Sequence, residues 1–569
     1  MRGATGPGAL FCVRKVAMGE AWAACGLEGC RGVRIGDFDR CLAHLHPTHQ
    51  DRYFDGLAAG SDVHLSGTTL SGDLLRRLIG AVGRRFGWAD FGEVRFESTV
   101  QFEAVSFDTG ASFHKAVFLD SAWFEGVRFP DATFEGAEFV GDVRFDRASF
   151  RTVPFKDATF HRHARFDGAA FDERADFQGT AFGGRTSFRA VVFGGEAWFV
   201  TDGGFTGDAR FDEAHFHGRA NFDMQVFKGA ANFGRAKFEA DARFEGARFL
   251  GRAGFENAEF GGEATFREAA ASEVASFAGA DFQATEYFGP ITAKTLNLGH
   301  ATFGKRVSIE ADVREMDCAE TTFEGGVSLA VSRGALDLDR VVFGKPSTVI
   351  AASGASVTSI SGTDVADLVL TDVDLARCEF AGAHHLDKLR LEGDCRFATR
   401  RRRQVLAEEQ AWRRDRNAPV GPRRIADLYR QLRKAQEDSK NEPGAADFYY
   451  GEMEMRRHSP ATPWSERFIL HLYWLISGYG LRALRALTTL AVLVVLASVG
   501  FRLGGFKTTP AFGDTLIYVA QSTVSLETKL TSLPKELTPF GEVVRLVMRV
   551  LGPLLLGLTL LAVRNRVKR

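Results

Sequence analysis

ANFGRAKFEADARFEGARF, residues 231–249, is the stretch that decides the fold, because a Phe returns in it every five or six residues. The same rhythm runs from Phe91 to Phe288 with one gap, and the chain holds 51 Phe beside 8 Tyr. In an α-helix, which turns about 100° per residue, these steps would scatter the rings around the axis. In an unbroken strand, a step of five would send successive rings to opposite faces. The spacing therefore predicts short strands joined by tight corners.

A small residue usually stands two places before each Phe, where it shares a strand face with the ring. Examples are Ala111, Ala116, Ala122, Ala132, Ala137, Ala231, Ala236, Ala242, Ala247, Ala253 and Ala258. Gly and charged residues fill the places between, which suits exposed corners. The pattern therefore predicts Phe and Ala inside the coil and polar residues outside.

This A-x-F-x-x pattern resembles the pentapeptide-repeat family, and we assign residues 86–290 to it. The resemblance implies an all-β solenoid, a right-handed quadrilateral β-helix whose central Phe or Leu and small residue face inward. Strict repeats of the family give about 20 residues per coil. The alternation of five and six predicts about 22 residues per coil and roughly nine coils from Phe91 to Phe288.

Beyond Phe288 the rhythm loosens into aliphatic alternation, as at Leu336 and Leu338. A solenoid must cover its apolar end. We therefore predict that residues 291–398 continue or cap the β-helix.

Charge and cysteine content bear on the partner and the cellular compartment of the chain. The net charge is -1, from 71 basic and 72 acidic residues, so we expect no nucleic acid as partner. Seven Cys are few for this length and form no disulfide framework, which predicts a reducing compartment. The N-terminus has no apolar run long enough for a secretory signal. We expect most of the chain in the cytoplasm, with translation starting at Met1 or Met18.

Four side chains of metal-binding type fall close together near the N-terminus: Cys25, Cys30, Cys41 and His44. Three thiolates and one imidazole suit tetrahedral zinc, and four protein ligands leave no position for a catalytic water. The sequence therefore predicts a structural zinc ion, with a module of unligated cysteines as the alternative. We assign residues 1–85 to this module and to a short capping helix over residues 71–83.

The sequence pattern of residues 399–460 predicts a helical linker. Prolines precede two stretches of helical periodicity, 423–440 and 445–458. Their basic residues are interleaved with acidic ones, which favours a spacer or oligomerisation element over a nucleic-acid site.

In the last segment, residues 461–569, two apolar stretches predict a membrane domain. Its two transmembrane α-helices are expected at about 486–503 and 543–563. Arg482, Arg485 and the basic tail of the chain indicate the cytoplasmic side, because cytoplasmic flanks are rich in Lys and Arg. We expect a multi-pass protein of the cell (plasma) membrane, with lipid as a partner and both termini cytoplasmic. Aromatic residues between 468 and 479 predict an interfacial helix.

Between the two spans, residues 515–527 form a short apolar stretch that ends in hydroxyl side chains. Span, short helix and span together resemble the pore module of two-transmembrane, potassium-type channels. That resemblance implies a re-entrant loop, a tetramer, and pore-lining residues Ser522, Thr523, Val524 and Ser525. The filter sequence T-V-G-Y-G of that family reads T-V-S-L-E here, and its missing Gly disfavours potassium selectivity.

Two functions follow from these patterns. The first is a channel-like, ion-conducting protein whose cytoplasmic β-helix acts as the regulatory domain. The alternative is a non-conducting, membrane-tethered scaffold whose β-helix binds a protein partner. Some soluble proteins of the repeat family imitate duplex DNA, but the many Arg residues and the predicted spans argue against that role here. We expect no enzymatic activity, because no nucleophile or carboxylate pair stands at a defined spacing.

Overall fold

A computed structural model describes residues 22–201, 203–351, 354–508, 510–524 and 536–567. The chain divides into two compact units, Met1–Ser276 and Phe277–Arg569. Along both units it forms a parallel β-solenoid of about 14 turns, followed in the second unit by helices.

A small module precedes the coils of the first unit. It contains an antiparallel bridge between Ala24 and Val33, a 3-10 turn at Leu42–His44, and helix α1 at Pro47–Asp55. Helix α2, Gly72–Ala81, begins where the Ser71 side chain accepts a hydrogen bond from the Leu74 amide. The helix expected over 71–83 is therefore present.

Four faces make up each coil of the first unit. Two longer strands, Arg85–Asp90 and Ser106–Ser112, turn the corner from face one to face two. Face one continues with Arg128–Phe129, Ser149–Phe150, Ala170–Phe171, Val192–Phe193, His215–Phe216, Lys237–Phe238 and Glu259–Phe260. Face two holds Val63–His64, Ala132–Thr133, Val153–Pro154, Ala175–Asp176, Ala197–Trp198, Ala220–Asn221, Ala242–Arg243 and Ala264–Thr265.

The remaining two faces follow the same parallel register. Face three holds Thr69–Leu70, Arg95–Phe96, Val117–Phe118, Glu138–Phe139, Thr159–Phe160, Ala181–Phe182, Val226–Phe227 and Arg248–Phe249. Face four holds Val100–Gln101, Ala122–Trp123, Val143–Arg144, Ala164–Arg165, Thr186–Ser187, Ala209–Arg210, Ala231–Asn232 and Ala253–Gly254. Ala270–Ser276 spans faces three and four.

The core of the first unit is built from four columns of Phe rings. Phe139 pairs with Phe160 after 21 residues, and Phe160 pairs with Phe182 after 22. One column runs through Phe91, Phe113, Phe134, Phe155, Phe177, Phe199, Phe222, Phe244 and Phe266, with centroids 4.8–5.4 Å apart. Burial of each ring and offset stacking along the column hold successive coils together. The expected inward Phe and the coil length of about 22 residues are confirmed.

The solenoid continues in the second unit with longer strands. Their bounds are Asp281–Phe282, Tyr287–Asn297, Thr302–Phe303, Val307–Asp317, Thr322–Phe323, Val327–Val331, Ala335–Asp337, Val342–Phe343, Ser347–Ala351, Ser356–Ser359, Leu368–Thr371 and Arg390–Glu392. On one face, aliphatic residues replace the Phe column, with Ile309, Leu329, Val349, Leu370 and Leu391 in register. Longer apolar alternation therefore gives longer strands and the same inward face.

Helices follow the last coil. A 3-10 turn, Leu386–Lys388, and a hairpin of Ala398–Arg400 with Arg403–Val405 lead into them. The helices are α3 Ala407–Arg414, α4 Pro422–Asp438, α5 Glu442–His458, α6 Trp464–Ser477, α7 Ala483–Gly500, α8 Phe512–Val524 and α9 Pro539–Val567. A π-helical turn, Phe501–Gly505, ends α7. By length and composition, Ala483–Gly505 and Pro539–Leu561 could cross a membrane.

Candidate functional sites

The four metal-binding side chains singled out by their spacing come together in the N-terminal module. The Cys25 amide donates to the Gly32 carbonyl at 2.8 Å and so closes the turn that carries Cys30. Cys41 begins the 3-10 turn that ends at His44. A Cβ on Gly32 would lie 2.8 Å from the Cβ of Cys41, so only glycine lets the two segments approach this closely.

The distances within the cluster are those of ligands around one ion. Cys30 Sγ lies 3.7 Å from Cys41 Sγ. His44 Nδ1 lies 3.6 Å from Cys25 Sγ and 3.3 Å from Cys41 Sγ, and all four atoms lie within 4.8 Å of one another. Bonds of about 2.3 Å to sulfur and about 2.0 Å to nitrogen give tetrahedral edges of about 3.8 and 3.5 Å. The cluster could therefore hold a metal ion.

Electrostatics at the cluster favour a cation. Burial and the neighbouring Cys30 and Cys25 thiols raise the pKa of Cys41 to about 12. Burial also raises the pKa of Cys25, but hydrogen bonds from backbone amides and from His44 outweigh it, so that this pKa falls to about 6. A second thiolate beside the first is costly in a buried place unless a positive ion offsets the charge.

The module is fixed to the first coil of the solenoid. The Val33 amide donates to the Ser66 carbonyl at 2.9 Å, and Arg31 pairs with Glu93 at 2.7 Å. A Cβ on Gly67 would lie 2.5 Å from the Arg31 carbonyl oxygen. Any ion that orders the module would therefore also order the start of the β-helix.

A buried group of charges joins the last coil to the helical linker. Glu408 accepts hydrogen bonds from the amides of Phe380 and Ala381 at 2.6 and 2.9 Å. Arg403, 9% exposed, donates to both oxygens of the fully buried Glu409 at 2.7 Å, and the Tyr429 hydroxyl donates to the same carboxylate at 2.5 Å. Sequence reasoning missed this group, because Glu among alternating charges is typical of a solvated helix face.

The linker is in turn packed against the segment that precedes α7. The Tyr479 hydroxyl donates to Glu454 at 3.1 Å, and Trp474 Nε1 donates to the Tyr450 hydroxyl at 3.1 Å. Arg485 at the start of α7 donates to the Trp474 carbonyl at 3.2 Å. A continuous set of contacts therefore runs from the last coil to the first apolar helix.

Three of the four predicted pore-lining residues, Ser522, Thr523 and Val524, lie at the end of α8. Thr523 is buried, its hydroxyl donates to the Val519 carbonyl at 2.7 Å, and its backbone lies against Gly552 of α9. Ser522 is buried as well, Val524 is exposed, and Ser525 lies outside the described residues. Phe501, Phe506, Val519 and Met548 form the apolar core between the three helices.

Comparison with known proteins bears on the repeats. The family model for pentapeptide repeats (nine copies) matches residues 102–149, 124–170, 145–192 and 225–270. Comparisons with curated proteins and with solved structures gave no match. Together with four inward Phe per coil, the family-model matches support a pentapeptide-repeat solenoid in the first unit of this chain.

Proposed function

We propose that the protein is a membrane-tethered scaffold, in which two spans hold a cytoplasmic pentapeptide-repeat solenoid that binds a protein partner. The position of exposed apolar side chains carries this proposal. Before Trp464 the large apolar residues that stand exposed, among those described, are Leu27, Val192, Met224, Leu250, Tyr287, Val342 and Ile350. All the others lie between Trp464 and Val563, on α6 to α9 and on the π-helical turn that ends α7. Such a concentration of exposed apolar surface fits a lipid environment.

The outer face of the solenoid fits a protein partner. Charged side chains pair across coils, as in Arg243 with Asp223 at 2.7 Å and Lys237 with Glu259 at 2.9 Å. Such rows of charge give a rigid surface whose specificity is electrostatic. Within the second unit, the packed linker would hold the last coil of the solenoid to the first apolar helix, which a flexible tether would not do.

Membrane integration is tested by placing charge on the apolar helices. Leu496 of α7 and Leu554 of α9 are exposed, and a Lys at the centre of a span costs about 2.5–3.5 kcal/mol. We expect Leu496→Lys with Leu554→Lys to move the full-length protein from the carbonate-resistant membrane fraction to the supernatant. Met224→Lys, at an exposed apolar position of the solenoid, is the matched control. Retention of the double variant in the membrane would contradict the proposal.

A channel-like function is the second candidate, and helix α8 favours it. Its 13 residues are too few to cross a bilayer, yet it packs between α7 and α9 through Val519. A short helix between two spans is the arrangement from which re-entrant pores are built, and such pores need several subunits around an axis. This candidate therefore requires a homo-oligomer, with four chains in the potassium-type arrangement.

Planar-bilayer recording separates the two candidates. Discrete currents from the reconstituted full-length protein, altered by Thr523→Ala with Ser525→Ala, would establish a pore at this loop. If folded, oriented protein gives no current over a range of ions and voltages, the scaffold remains as the proposed function. A Met224→Lys variant controls for effects of substitution on reconstitution.

For the N-terminal cluster we propose zinc as the ligand, because three thiolates and one imidazole suit its tetrahedral preference. With Cys25, Cys30, Cys41 and His44 as ligands, the ion would be structural. Cys41→Ser should remove the bound zinc, measured by elemental analysis of protein without a polyhistidine tag, and expose the module to limited proteolysis. Cys395→Ser, at a half-buried thiol outside the cluster, should change neither result. Equal zinc content in the two variants would contradict the assignment.

A further inference from the structure

Two histidines and one glutamate from successive coils meet on face one of the solenoid. His215 and His217 flank the inward Phe216, so both imidazoles leave the strand on its outer side. Phe216 pairs with Phe238 of the next coil, which places Glu239 directly beside His217. The parallel register therefore brings together three side chains that are 22 and 24 residues apart.

The carboxylate of Glu239 lies between the two rings. His215 Nε2 is 2.8 Å from one oxygen and His217 Nδ1 is 2.8 Å from the other, and the ring centroids are 4.0 Å apart. One ligand atom from each of the three residues can be chosen so that all lie within 4.8 Å of one another. Metal bonds of about 2.0–2.1 Å that meet at right angles give ligand separations of about 2.9 Å. Each imidazole nitrogen already lies at about that separation from an oxygen of Glu239, so the three side chains are placed to share one ion.

The neighbouring positions leave room for a hydrated ion. The register continues from Phe193 through Phe216 and Phe238 to Phe260, so Gly194 lies below His217 and Gly261 lies above Glu239. The nearest cation in the register, Lys237, is paired with Glu259 at 2.9 Å. The glycines on both sides of His217 and Glu239 therefore leave space beside these two ligands.

Two other histidines on the solenoid, His161 and His385, make simple pairs. His161 Nε2 lies 2.8 Å from Glu138, and His385 Nδ1 lies 2.8 Å from Asp364, each with a single carboxylate. Among the described residues, the group at His215 is the one place outside the cysteine cluster where three side chains of ligand type converge. Convergence of three ligands is what distinguishes a chelating site from an exposed ion pair.

We propose that His215, His217 and Glu239 form a binding site for a divalent transition metal of the Zn²⁺, Ni²⁺ and Cu²⁺ class. Two imidazoles and one carboxylate suit these ions, whereas Ca²⁺ and Mg²⁺ prefer oxygen ligands. The ion would occupy the place of the ring N–H hydrogens that face Glu239, and each neutral imidazole would carry its proton on the opposite nitrogen, Nδ1 of His215 and Nε2 of His217. It would join two adjacent coils and leave coordination positions for water or for a side chain of a bound partner.

The test counts bound zinc in the full-length protein, prepared in detergent without a polyhistidine tag. After dialysis against buffered Zn²⁺, we expect His217→Ala to hold one zinc ion fewer than the unaltered protein. His161→Ala, which removes an exposed imidazole of a simple His–Glu pair, should lose none. Because every variant keeps Cys25, Cys30, Cys41 and His44, the difference reports on face one alone, whatever the cysteine cluster binds.

A second variant separates charge from shape. Glu239→Gln keeps the size of the side chain and its hydrogen-bonding capacity but removes the anionic ligand, so we expect weaker zinc binding in a calorimetric titration. Circular dichroism confirms that each variant is folded. Equal zinc content in His217→Ala and His161→Ala, or an unchanged titration of Glu239→Gln, would overturn the proposal and leave an ion-paired surface group.

Discussion

At the scale of single residues, the inward Phe is what holds coils together. Phe211 is buried and stacks on Phe188 at 5.0 Å and on Phe233 at 4.8 Å. We expect Phe211→Ala to lower the free energy of unfolding by about 3–5 kcal/mol, because it leaves a cavity between rigid neighbours. Denaturant unfolding followed by circular dichroism measures the change.

The companion variant Phe211→Leu fills much of the same space and should cost less. A loss below about 1 kcal/mol for Phe211→Ala would show that the coils relax around a missing ring, against the close packing seen here. Since each coil contacts only its neighbours, the loss should be local to this part of the solenoid.

Residue spacing alone was enough to place the core but not the surface groups. The positions of the inward Phe and Ala follow from the repeat, because the two-residue period of a strand puts Phe222 and Ala220 on the same face. Glu93, by contrast, takes a left-handed φ of 53° at a corner, where Gly is the usual residue. His217 and Glu239 could be matched only after the coil length of 22 residues was known in register.

At the scale of elements, the buried Arg403–Glu409 pair fixes the linker to the end of the solenoid. Burial raises the pKa of Glu409, but the Arg403 guanidinium and the Tyr429 hydroxyl outweigh it and hold the pKa below its ordinary value of 4.5. A lowered pKa means that the pair stabilises the fold fully above 4.5 and that this stability is lost as the pH falls through the lowered value. We expect α3 to separate from α4 as the pH falls through this range. The fluorescence of Trp412, which lies on α3, measures the change.

The variant Glu409→Gln tests the same pair at neutral pH. It leaves the Arg403 charge buried without a counter-ion, which costs about 3–5 kcal/mol. Glu437→Gln, in an exposed pair with Arg433, is the matched control and should be nearly neutral. Equal hydrogen exchange in α4 for the two variants would show that the buried pair does not hold the linker in place.

The helix positions in the linker were predicted from the sequence, but the burial of charged side chains there was not. Helices expected at 423–440 and 445–458 appear at Pro422–Asp438 and Glu442–His458. Proline and helical periodicity mark such ends in the sequence. Nothing in the local sequence distinguishes the buried Glu409 from an exposed glutamate, since its burial depends on Arg403 in a different element.

At the scale of the whole molecule, the chain places its apolar side chains in two opposite ways. In the solenoid they point inward, and on α7 and α9 they point outward. The first arrangement is stable in water, and the second is stable where the exposed apolar side chains face lipid. One chain with both is consistent with a protein that lies partly in each solvent.

This division predicts which segments face which side of the membrane. Lys507 lies between α7 and α9 and is exposed, in a surface pair with Glu536 at 2.8 Å. If Arg482 and Arg485 stay in the cytoplasm, a single crossing by α7 puts residue 507 outside. We expect Lys507→Cys to react with a membrane-impermeant maleimide in intact cells.

Ser439→Cys, at the exposed end of α4, is the matched control and should react only after the membrane is made permeable. If the N-terminal module is cytoplasmic, as the scaffold proposal requires, Cys25, Cys30 and Cys41 should likewise stay unlabelled in intact cells. Labelling of Ser439→Cys from outside would reverse the orientation. Absence of labelling at both positions in intact cells, with labelling at both after permeabilisation, would mean that α7 and α9 do not cross. The apolar faces of these helices would then have to be covered by protein rather than lipid.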